Sequence, residues 1–127
     1  MFVGVARIVL SIPGARSLKD RRRAVRSFKD RARARLPVSV AEVGDVELHQ
    51  RATLGVAVVS GDASRCRETL ARVAELARSL ADARVAELAT ELIPFGDGGR
   101  ELRASLAPFE GLAGERFGFE PDEEGEP

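Results

Sequence analysis

The sequence has no tryptophan and no tyrosine, and only one histidine, one methionine and one cysteine. Each shortage removes a class of chemistry. Without Trp or Tyr, and with no strand carrying an aromatic pair, the chain lacks the stacking platform with which an RNA-recognition motif reads unpaired bases. One His and one Cys make no zinc spacing, and a site built from carboxylates and Cys66 is not favoured by their placement. Cys66 has no partner for an internal disulfide, so it reads as a buried structural thiol in a reducing compartment. A Gly-rich phosphate loop and a nucleophile elbow are missing too. The expectation is a non-enzyme with no cofactor and no metal.

Long hydrophobic runs are also lacking. "MFVGVARIVLSI" is interrupted by Arg7, falls short of the roughly 20 residues that span a bilayer, and has neither a basic leader nor a small-residue cleavage site. It reads as a strand of a cytoplasmic protein with no membrane partner. With 127 residues the chain suits one domain, able to bury roughly 65% of its extended surface without a staple.

Net charge is absent, since 20 Lys/Arg balance 20 Asp/Glu. The distribution is not neutral. Residues 1–36 hold eleven Lys/Arg against Asp20 and Asp30, whereas residues 96–127 hold three Arg against nine Asp/Glu. Such asymmetry points to an interaction surface or an acidic tail. The abundance of Arg and Ala is what a GC-rich genome produces, so placement is more informative than count.

Phe2–Ile12 is apolar at both parities, as in a central strand, and Pro13-Gly14 ends it. Ser17, followed by Asp20, is a shortened capping box. Leu18, Val25, Phe28, Ala32 and Leu36 then give a helix its core face, and Pro37 stops it. Val38–Val43 and Thr53–Ser60 read as strands. Gly61-Asp62 starts a second helix with Cys66, Leu70, Val73, Leu76, Ala77 and Leu80 on its buried stripe. "RVAELATELIPF" is ambiguous: Val85, Leu88 and Leu92 suit a helix, while Val85, Glu87, Ala89, Glu91 and Ile93 suit a half-wet strand. The order predicts an α+β, ferredoxin-like βαββαβ sandwich over residues 1–95, with a four-stranded antiparallel sheet and two helices on one face. Residues 96–127 read as a C-terminal extension: a linker "GDGGR", a possible short helix in "ELRASLAPFEGL", and an acidic disordered tail.

"SLKDRRRAVRS" resembles the S-L-K-x-K-R-x-V-L-K-S stretch of the YlxP-like bacterial proteins, a family catalogued as a domain of unknown function. "SVAEVGDVELHQRATLGVAVVSGD" is similar to that family's second signature. Ser17, Leu18, Lys19, Arg22, Glu42, Val43, Gln50 and Arg51 fall on matching positions, and Arg21 replaces a frequent Lys, a conservative change for a phosphate contact. His49 stands where the family commonly has Trp. The resemblance covers Phe2–Phe95 and implies the ferredoxin-like fold, with residues 84–95 as its last strand. It also implies a small cytosolic protein, often encoded beside translation and ribosome-assembly genes, and carries no activity or catalytic residue.

On a wheel of about 100° per residue with Leu18 at zero, the apolar residues of the first helix occupy an arc of about 80°. Lys19, Arg22, Arg23, Arg26, Lys29 and Arg33 share the adjoining arc of about 120°, joined only by Asp30. Like-charged neighbours cost about 0.2–0.5 kcal/mol each, so structure alone does not ask for this ridge. It can meet several phosphates of structured RNA or a ribosomal particle, an acidic protein, or simply water. Glu42, Glu47, His49 and Arg51 cluster around the second and third strands; they read as edge and loop polar residues, although Glu42 and His49 are an acid–base combination. Val3, Val5 and Val9 are expected on the sheet face away from the helices, where an apolar patch invites a homodimer. In the extension, Phe109, Phe117 and Phe119 lie among acids. That segment reads as linker, as a mask for the basic helix, or as a protein-docking tail.

Overall fold

The computed structural model describes residues 1–44 and 50–96, and Met1–Phe95 forms one compact unit. The linker, helix and acidic tail expected beyond Gly96 lie outside the described residues, as do Glu47 and His49.

The elements are β1 (Phe2–Ser11), α1 (Leu18–Arg35), β2 (Ser39–Gly44), β3 (Arg51–Ser60), α2 (Ala63–Arg78) and β4 (Arg84–Pro94). They make one antiparallel sheet in the order β2-β3-β1-β4, the expected βαββαβ arrangement. β1 is central because both of its faces are apolar. Its even-numbered residues Ala6, Ile8 and Leu10 meet the helices, together with Val40 of β2 and Leu54, Val56 and Val58 of β3. Phe28 from α1 and Cys66 and Val73 from α2 fill the space between, all fully buried. Gly4 lets α2 approach the sheet: a Cβ there would stand 3.0 Å from Leu70 Cδ1 and 3.1 Å from Val58 Cγ1.

Both helices start on side-chain caps. Ser17 Oγ accepts the Asp20 N–H at 3.2 Å, and the Asp20 carboxylate accepts the Arg16 N–H at 2.9 Å. Asp62 Oδ1 does the same for Ser64 at 2.9 Å. α1 ends where the Leu36 N–H bonds Ala32 O, one residue before Pro37.

Residues 84–94 form a strand, and its mixed pattern has a physical cause. β4 pairs with β1 as Leu88↔Ile8 and Glu87↔Val9, then slips so that Val85 faces Leu10. The extra residue is a β-bulge, which changes the face on which the following side chains fall. Val85, Leu88 and Leu92 therefore all pack against the core from a strand. The half-wet alternation beginning at Val85 is accordingly corrected: Glu87, Ala89, Glu91 and Ile93 share the open face, and Val85 does not.

Candidate nucleic-acid interface

α1 lies on the sheet with Ala24, Val25, Phe28 and Ala32 beneath it. Lys19, Arg22, Arg23 and Arg26 are exposed on its outer side, and Lys29 is half-buried. None of these five has a carboxylate of the described residues within ion-pair distance. Positions 19, 22, 26 and 29 alternate steps of three and four, which sets one cation about every 5 Å along the axis. Arg33 completes that progression but is tied down, its guanidinium donating to Val40 O at 2.8 Å. Arg16, Arg31 and Arg35 add exposed charge at the ends of the helix, and Arg65, Arg67, Arg72 and Arg78 add it along α2. The helical layer is thus the cationic side of the domain.

Arg21 behaves differently from its neighbours, contrary to its expected place among phosphate contacts. Its side chain is 3% exposed and forms an ion pair with Glu42, itself 22% exposed. Arg21 Nε also donates to the Arg51 carbonyl oxygen at 3.0 Å. The reason lies in the same helical wheel: Arg21 falls at about −60°, inside the apolar arc between Ala32 and Phe28. Glu42 meets it because β2 turns Val40 and Glu42 toward the helices, opposite Val56 and Leu54. Glu42 lies on the edge strand β2, as expected, but on its inner face, where its carboxylate is engaged by Arg21.

Gln50 extends this lock to the start of the helix. Its side-chain Nε2 donates to Pro13 O at 3.4 Å and Ala15 O at 3.3 Å, and its backbone carbonyl accepts the Ile12 N–H at 3.0 Å. Arg21, Glu42 and Gln50 hold α1 and the turn before it against β2 and β3, so the outer cations stand on a fixed support.

The sheet face opposite the helices carries Val3 and Val5, both half-buried. Val9 is on the same face but is 0% exposed. It sits mid-sheet between Thr53 and Glu87, beside the Arg7–Glu87 ion pair, and so adds nothing to an exposed patch. The apolar surface gathers instead at one corner, where Val3 faces Val59 and Ile93 and the Phe95 N–H bonds Met1 O. Val59 is 61% exposed, with Met1 and Phe95 also exposed. Only the strand register brings these residues together.

A cleft of about 500 Å³ opens between the β1–α1 turn and the α2–β4 loop. Among the described residues no cluster of three or more His, Cys, Asp or Glu is arranged to hold a metal, and no helix is long and apolar enough to cross a membrane.

The chain is similar in structure to the designed protein Foldit4 (TM-score 0.45, 11% identity, 74% of this chain and 98% of that one). It is also similar to a C-terminal segment of the alpha subunit of aIF2 from Pyrococcus abyssi (TM-score 0.40, 17% identity, 73% of this chain and 49% of that one). A third similar structure is the designed protein Ferredog-Diesel (TM-score 0.41, 14% identity, 70% and 83%). No curated protein matches it. By the match of residues 3–90, the chain belongs to the family described as protein of unknown function (DUF503).

Proposed function

We propose that this YlxP-like member of the family is a non-enzymatic cytoplasmic binding protein that grips the phosphate backbone of structured RNA, as in a ribosomal particle, through α1. The observation that carries this reading is the row Lys19, Arg22, Arg23 and Arg26: exposed, adjacent and without a carboxylate partner among the described residues. Each phosphate neutralised releases condensed counterions, so affinity falls steeply with salt and depends little on base sequence. Guanidinium forks add paired hydrogen bonds to phosphate oxygens. The deep, narrow major groove of an A-form RNA helix does not admit a helix, so contact is with the backbone from outside.

The test is a titration against ribosomal RNA over a range of salt concentrations. Arg22→Glu/Arg26→Glu should weaken binding and make the slope of log K against log salt shallower by about 2, roughly one unit per lost phosphate contact. A variant with the wild-type slope would refute the reading.

The corner formed by Met1, Val3, Val59, Ile93 and Phe95 favours a second reading, a homodimer through the open sheet face. Light scattering would then give twice the chain mass, and Val59→Glu would return it to one. A wild-type monomer at high concentration removes this alternative.

A further inference from the structure

The cleft beside the cationic ridge has the build of a small-ligand site. Its floor is fixed: Ile12, Ala15 and Ala83 are buried beneath exposed Pro13, Gly14 and Ala81, and the Ile12–Ala15 turn is held from behind by the Gln50 amide. Its rim is charged, with Arg23 from α1, Arg84 from the start of β4, and Asp82 from the loop between. The side chains of these three are exposed and have no hydrogen bond or ion pair with any described residue. Asp20, which also lines the cleft, already accepts the Arg16 N–H at 2.9 Å, whereas the Asp82 carboxylate has both oxygens open to a ligand. A volume of about 500 Å³ falls in the range of small-molecule sites, roughly 300–1,000 Å³.

We infer that this cleft binds a nucleoside monophosphate. The base lies against Pro13 and Ala81, the exposed apolar lining above the buried floor, where its flat faces lose water. Its amino or imino N–H groups donate to the Asp82 carboxylate. The phosphate is taken by Arg23 and Arg84, whose planar forks match phosphate oxygens better than an ammonium does. The ligand is either a free nucleotide or the phosphorylated terminal nucleotide of an RNA lying on the ridge, since Arg23 belongs to both surfaces. Only the second source rests on the ridge reading.

Two titrations with the full chain test this. In the first, guanosine and adenosine 5′-monophosphates are compared with the nucleosides and with inorganic phosphate. Saturable binding is expected for a nucleotide, at least about tenfold tighter than for either half alone. Arg84→Glu should abolish it through charge, and Gly14→Phe through bulk, with far-UV circular dichroism checking that the variant folds; Gly14 lines the cleft and a Cβ there meets nothing within 4 Å. In the second, one RNA sequence is compared as a 5′-phosphorylated linear strand and as a closed circle. A preference for the phosphorylated end that Arg84→Glu erases identifies the RNA terminus as the source, and equal affinity with nucleotide binding intact identifies the free nucleotide. Arg22→Glu/Arg26→Glu should weaken both RNA forms equally and leave the mononucleotide untouched, which separates failure of the ridge from failure of the cleft. No nucleotide binding at millimolar concentration, phosphate binding as tightly as the nucleotide, or indifference to Arg84→Glu overturns the inference.

Discussion

Glu42→Ala removes the carboxylate paired with the Arg21 guanidinium beneath α1, where 3% of the Arg21 side chain meets solvent. Two unit charges about 4 Å apart attract by about 4 kcal/mol at an effective dielectric near 20. Removing one partner of a buried pair costs about 3–5 kcal/mol, because the remaining charge stays desolvated. The Arg51 carbonyl still accepts from Arg21 Nε and Glu42 is partly solvated, so we expect the low end, about 3 kcal/mol. For a domain of this size that lowers Tm by roughly 12–24 °C. Replacing both charges, as Arg21→Met/Glu42→Leu, should recover most of the loss, since apolar groups of similar volume remove the desolvation cost along with the attraction. With no Trp or Tyr in the chain, urea unfolding is best followed by far-UV circular dichroism. The same pair of variants separates structure from function. If Arg21 only anchors α1, the double variant keeps the wild-type salt dependence of RNA binding. A cost below about 1 kcal/mol for Glu42→Ala would show that Arg21 is solvated, and a shallower salt slope in the double variant would show that it touches phosphate.

Two smaller perturbations check the support under the ridge. Gly4→Ala forces a methyl group against Leu70 and Val58 at about 3 Å, and overpacking of this kind should cost about 1–3 kcal/mol in urea unfolding; an unchanged midpoint would mean that α2 moves away freely. Ser17→Ala removes the acceptor for the Asp20 N–H and should cost about 1 kcal/mol, read as a Tm lower by roughly 4–8 °C, while a wild-type Tm would show that the Ser17 cap adds nothing to the α1 start.

The two helices, their caps and the central place of β1 were legible in the sequence because each depends on local chemistry. Ser17 and Asp62 supply the acceptors that a helix start needs, Pro37 forbids continuation, and the long apolar run of β1 reads as an interior strand, the place it takes between β3 and β4. The ridge on α1 was legible for the same reason, since side chains three and four residues apart share one helix face.

What tertiary structure alone decided are the relations between segments distant in the chain. Arg21 looked like one more cation, although its angle already placed it among the apolar residues; only β2, arriving from 21 residues away, supplies the Glu42 carboxylate that makes its burial tolerable. The pattern of β4 stayed ambiguous because a bulge against β1 breaks its period of two, and a bulge belongs to a pair of strands rather than to either one. Val9 and Val59 were likewise indistinguishable as apolar strand residues. Val9 is buried mid-sheet and Val59 lies open at the corner, because exposure depends on which neighbours the sheet order puts alongside.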